Sequence, residues 1–159
     1  MSTFTEMCGL APSRVLGSLD YGAGGWESAS VRMLPSGKVE VDPEVVLTVP
    51  GFDDELLAAL PDSNVSIESS VAFDDGVAYF ANSGGLVQGW DISRVLNGGT
   101  KATRVFRFWT GEDTDASVVI DEEGFLYVAS EVDRFTARGR DVGQLMKLDP
   151  RRRDDPVVW

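Results

Sequence analysis

ESSVAFDDGVAYFANSGGLVQGWD, Glu68–Asp91, and DASVVIDEEGFLYVAS, Asp115–Ser130, followed by GQLMKLDP, Gly143–Pro150, are two passages through one pattern. Each has a short β-branched run, an acidic turn, a strand bearing an aromatic residue, a further turn and a strand closing on Asp. That is how one antiparallel sheet repeated along a chain reads. The first passage predicts strands at Ser69–Phe73, Val77–Asn82 and Leu86–Ile92, with a fourth at Ala102–Trp109 beyond Asn97-Gly98-Gly99. Asp74-Asp75-Gly76 and Ser83-Gly84-Gly85 supply the positive-φ residues that tight hairpins need. The second passage predicts Ala116–Asp121, Phe125–Ser130 and Gln144–Leu148, and Pro156-Val157-Val158-Trp159 begins a fourth strand.

Spacing supports repetition. Tyr79 and Tyr127 are 48 residues apart, Trp109 and Trp159 are 50 apart, and Asp42, Asp91 and Asp149 recur at intervals of 49 and 58. The longer interval contains the insertion EVDRFTARGRDV, Glu131–Val142. Periods of roughly 40–50 residues with four short strands each suit the blades of a β-propeller. An all-β sandwich is the competing reading.

Upstream the pattern is weaker. Strands are predicted at Arg14–Tyr21, Ser28–Leu34, Lys38–Val41 and Glu44–Val49, broken by Gly22–Gly25, Pro35-Ser36-Gly37 and Asp42-Pro43. FDDELLAAL, Phe52–Leu60, has helical spacing behind an Asp-rich start and ends at Pro61. The expectation is an all-β fold of antiparallel four-stranded blades, about three of them in an incomplete ring. It forms one partial propeller domain over 1–159: an irregular first blade and connection at 1–61, a second at 62–113 and a third at 114–159. The third is expected to stop in its outer strand, so that further blades or another copy of the chain complete the ring.

The chain has 159 residues, 43% hydrophobic and 25% charged, enough for one domain with a core. Fourteen basic against 26 acidic residues give a net charge of −12, which disfavours nucleic acid and anionic membrane surfaces. No apolar run is long enough to span a bilayer, and the N-terminal stretch lacks a signal-peptide pattern. As written, the chain is expected to stay in the cytoplasm; export would go with a Met1 that is not the native start of a longer protein. A single Cys8 excludes an intrachain disulfide, and the absence of histidine removes Ser-His-Asp and Cys-His catalysis and His-containing metal sites.

GVAYFANSGGLVQGWD and GFLYVAS…GQLMKLDP, each followed by a loop and a strand ending in Trp, resemble the PQQ-binding-like (quinoprotein-type) β-propeller repeat. The likeness covers about residues 68–159. It implies that Trp109 and Trp159 dock each blade against the next. The Gly-Lys/Glu turn usual before that Trp is missing, and Val49 stands where the first blade would have one. Quinone-dependent members hold PQQ with calcium, a catalytic Asp, a Trp floor and often paired cysteines, whereas this chain has one cysteine. The resemblance therefore implies a non-enzymatic scaffold segment for binding or assembly. The alternative is a fragment of a PQQ- and calcium-dependent oxidoreductase whose active site lies on blades outside the chain.

Candidate sites are few. Glu112-Asp113-Thr114-Asp115 offers oxygens for calcium, Asp113 and Asp115 above all, against the plainer reading of a solvated acidic connection. Asp74-Asp75 and Asp121-Glu122-Glu123 read as turn caps. The insertion, with Arg134, Phe135, Arg138 and Arg140, is a recognition loop for a ligand or protein partner, or else a solvated excursion. Arg151-Arg152-Arg153 beside Asp154-Asp155 reads as a polar turn, and Trp26 as a core or pocket residue. Val71, Phe73, Val77, Tyr79, Leu86, Val118, Ile120, Leu126, Val128 and Leu145 are expected in the core between blades.

Overall fold

The computed structural model describes residues 14–18, 25–33, 39–61 and 63–159, with side chains from Leu47 onward. Cys8 and the Trp26 side chain lie outside the described residues. Among the described residues the regular structure is mostly strand, in three antiparallel sheets that do not close on one another.

The first sheet has the order β1-β2-β3, with β1 at Arg14–Ser18, β2 at Gly25–Met33 and β3 at Val39–Thr48. The two short strands expected on either side of Asp42-Pro43 are therefore one. The β2–β3 ladder runs straight through, pairing Ala29 with Pro43 and Ser30 with Asp42. Pro43 is tolerated because β3 is an edge strand, where a missing N–H interrupts no second ladder. Among the described residues, three strands make this sheet, against the four expected.

Next comes helix α1, Asp54–Ala59, whose N-cap Asp53 accepts from the Leu56 amide at 2.9 Å. The same carboxylate binds Arg104 at 2.7 Å and Arg107 at 2.9 Å and 3.1 Å. These bonds, the Arg107 hydrogen bond first, hold its pKa well below the usual carboxylate range despite the opposing effect of burial. Buried Asn82 and Gln88 donate their amide NH2 groups to the Gly51 carbonyl at 2.7 and 2.9 Å. The segment leading into α1 is thus pinned to the second sheet by satisfied polar groups.

The second sheet is a four-stranded meander: β4 (Ala72–Asp74), β5 (Val77–Phe80), β6 (Leu86–Asp91) and β7 (Thr103–Trp109). A short helix, α2 (Ser93–Leu96), stands in the β6–β7 connection. Asp75 and Gly76, both at positive φ, close the β4–β5 hairpin. The third sheet has β8 (Val119–Ile120), β9 (Leu126–Ala129) and β10 (Leu145–Leu148). Residues 156–159 run beside β10: the Lys147 amide donates to the Trp159 carbonyl at 3.0 Å, and Val158 donates back to Lys147 at 2.8 Å. The third sheet has three strands, in the order β10-β9-β8, and residues 156–159 lie along the free edge of β10 with one bridge, Leu148 to Val157. Between β9 and β10 the insertion folds into helix α3, Ala137–Val142, capped by Thr136, whose Oγ1 accepts from the Gly139 amide at 2.9 Å. This helix was not anticipated.

The second sheet is buried on both faces. Ala78 and Phe80 on one face meet Ile92, Val95, Leu47 and Val49. Tyr79, Ala81, Val87, Phe106 and Phe108 on the other meet Val118, Leu126, Val128, Met146 and Leu148 of the third sheet and its approach. Strand alternation produces this division, successive side chains pointing to opposite faces. Most of the expected core residues lie in or against these two clusters. Leu145 does not: it is 59% exposed. It precedes Met146, which is wholly buried, so the pleat turns Leu145 to the opposite side of the sheet.

Candidate functional site

The Glu112–Asp115 connection is not a solvated linker. Glu112 is only 3% exposed. Its Oε2 accepts from the amides of Asp133, Arg134 and Phe135 at 3.1, 2.7 and 3.2 Å, and its Oε1 from Thr136 at 2.7 Å. Burial pushes its pKa up, the four amides outweigh that, and the net effect is a lowered pKa. Successive amides curved round one anion form a nest, here filled by the protein's own carboxylate. Gly139 makes room for it, since a Cβ there would collide with the Glu112 side chain. Behind it the hydroxyls of Thr110, Thr114 and Ser130, all buried, are linked at 3.1 and 2.9 Å.

Asp113 and Asp115 are close neighbours whose Oδ1 atoms are buried without a hydrogen-bond partner. Burial first, and then the Asp115 charge, raise the Asp113 pKa to about 6. Asp113 and Asp115 offer two carboxylates, and among the described residues no group of three His, Cys, Asp or Glu side chains could hold a metal ion. Calcium takes roughly six to eight oxygens. Two carboxylates alone fall short of that number.

A raised folded-state pKa means that the folded protein holds the Asp113 proton over a range where the unfolded chain, near 3.8, has lost it. Stability from this group is present below about pH 4 and is lost as pH rises through about 6. Asp113→Asn should flatten that loss, narrowing the difference between denaturation midpoints at pH 4.5 and pH 7.5 relative to wild type. An unaltered difference would contradict the assignment.

The insertion residues divide. Arg134 turns inward, its Nη2 donating to the Ser83 carbonyl at 2.9 Å. Phe135, at φ 55°, and Arg140 face solvent. Arg138 lies 5.1 Å over the Phe108 ring and donates from Nε to the Trp109 carbonyl at 3.2 Å. Trp109 is half-buried, its indole N–H donating to Gly84 at 3.0 Å. Trp159 is 57% exposed and meets Tyr127 edge-on, with ring centroids 6.1 Å apart. Asp121 caps its turn as expected, accepting from Glu123 and Phe125, and also binds Lys147 at 3.2 Å. Arg151 and Arg152 pair with Asp149 and Asp155 in the polar turn.

The third sheet leaves one face open. Tyr79 pairs with Ala72 and Gly89, and Tyr127 pairs with Val119 and Lys147. These registers make Val119 the counterpart of Ala72, Lys147 of Gly89 and Leu145 of Val87. Val87 is fully buried beneath the third sheet, whereas Leu145 and Val119 are 59% and 60% exposed. Where Gly89 lets Tyr79 and Phe106 close over the strand, Lys147 lies across the surface, its Nζ 4.0 Å from the centre of the Phe125 ring.

No family model matches this chain, and no curated protein matches its sequence. Among the described residues no helix is long and apolar enough to cross a membrane.

Proposed function

We propose that the chain is a non-enzymatic scaffold segment of the quinoprotein-like β-propeller kind, built to bind a further four-stranded sheet. One observation carries the reading: the open face of the third sheet holds the counterparts of the residues by which the second sheet accepts the third. The packing repeats in one direction. Leu126 and Val128 face back toward the second sheet, as Ala78 and Phe80 face back toward Leu47 and Val49. Tyr127, Leu145 and Val119 face forward, as Tyr79, Val87 and Ala72 do.

Leaving Val119, Leu145 and Trp159 in water is unfavourable, at about 25 cal/mol for each Å² of apolar surface. Covering them with another sheet recovers that energy. Lys147 carries its own counter-ion, Asp121, which lowers the cost of covering it. The forward face is expected to drive association of the isolated chain, a second copy supplying the missing sheet. Sedimentation should show concentration-dependent association that Leu145→Glu abolishes while leaving the melting temperature unchanged. A Leu145→Glu chain that associates as strongly as wild type would remove this face from the account.

A further inference from the structure

A second feature lies away from the open face. A cleft of about 340 Å³ runs between β7, helix α3 and the segment leading to residue 157. Its apolar walls are Phe108, Trp109, Pro156 and Val157, and Arg107, Arg138, Arg153, Asp154 and Asp155 bring charge to it. The volume is at the small end of ligand sites, which run roughly 300–1,000 Å³.

The charges are not equivalent. Arg107 is occupied by Asp53 and Glu55, and Asp155 by Arg152. Arg138 is held in place by the Phe108 ring and the Trp109 carbonyl through Nε, and forms no ion pair among the described residues. Arg153 makes no ion pair or hydrogen bond among the described residues. Among the described residues, two guanidinium groups without a counter-ion therefore border the cleft, against one unpaired carboxylate, Asp154. Arg94, Lys101, Arg134 and Arg140 also form no ion pair among the described residues; what distinguishes Arg138 and Arg153 is that both line one cleft with apolar walls. Arg138 is preorganised: its rotamer is fixed by stacking and by one hydrogen bond, and its planar fork keeps N–H donors for a bidentate partner.

We propose that this cleft binds a small oxyanion, a carboxylate or a phosphate, gripped by Arg138, drawn in by Arg153 and flanked by Trp109. The bond from Nε to the Trp109 carbonyl joins the arginine to the tryptophan, so an occupant touching one is sensed at the other.

The test is a titration of the full chain with benzoate and, separately, with inorganic phosphate, read by NMR at the Trp109 indole and the Arg138 Nε–H. Saturable shifts confined to the cleft are expected for at least one anion; benzoate alone identifies a carboxylate with an apolar body, phosphate alone a bare tetrahedral anion. Arg138→Gln should weaken binding about tenfold, the worth of one charge-assisted hydrogen bond. Arg153→Gln, at a residue with no hydrogen bond or ion pair among the described residues, should weaken it less and leave folding intact. Arg140→Gln, on the same helix but outside the cleft, should have no effect. Shifts that never saturate for either anion would overturn the proposal, as would an Arg140→Gln loss equal to that of Arg138→Gln. Either result leaves the sheet-docking reading untouched, because no residue of the forward face lines the cleft.

Discussion

Glu112→Ala is expected to destabilise the protein by about 3–4 kcal/mol and to release the loop from Asp133 to Thr136. The substitution orphans four amides that now share one carboxylate. Each buried donor left unsatisfied costs about 1–3 kcal/mol, so the uncorrected sum would be larger. It is limited because the loop can open and give its amides to water, at which point the cost becomes the loop's own packing. Phe135, held at φ 55°, gains by that opening. Glu112→Gln keeps the shape and half the acceptor capacity and should fall between wild type and Ala. Denaturant midpoints measure the first effect, and amide exchange at residues 133–136 the second. Midpoints equal to wild type for Glu112→Ala would show that the nest contributes nothing.

The second large effect separates two leucines in the same sheet. Leu126 is fully buried between the second and third sheets, and Leu126→Ala should cost about 3 kcal/mol in lost burial and residual cavity. Leu145→Ala should stay within about 0.5 kcal/mol, as surface substitutions do. A cost at Leu145 matching that at Leu126 would mean that its side chain is covered, against the open-face description. Thermal or chemical unfolding of the two variants side by side decides it.

The repeat was legible because it is written in turn chemistry: Asp75-Gly76 and Glu123-Gly124 stand at the same place in successive hairpins, and the aromatic Tyr follows each at the same interval. Leu145 was misplaced because a run of apolar residues does not state which sheet face has a neighbour. Only the register with Tyr127, and the comparison with Val87, shows that it points forward. Pro43 misled for a related reason, since a proline breaks a central strand but not an edge one, and edge position is a property of the assembled sheet.

The site was half legible. The acidic connection was visible, but its burial was not, because nothing local in Thr110–Asp115 announces that Glu112 will be surrounded by amides from a segment 21–24 residues later. The available signals were Thr136, three residues ahead of Gly139, as a helix cap, and Gly139 itself, small where Glu112 must pass. Arg138 and Trp109 were both singled out, for separate roles. Their meeting depends on α3 folding back against the end of β7, which no spacing in the chain encodes.

On the proposed reading, the third sheet presents forward the face by which the second sheet accepts its successor. Thiol accessibility at matched positions tests it most directly, with Cys8→Ser as background and Val87→Cys and Leu145→Cys compared for their rate of reaction with a soluble thiol reagent. Val87→Cys is expected to be protected at every protein concentration, whereas Leu145→Cys should react rapidly in dilute solution and become protected as the chain is concentrated. Protection of Leu145→Cys already in dilute solution, or equal reactivity at all concentrations, would contradict it.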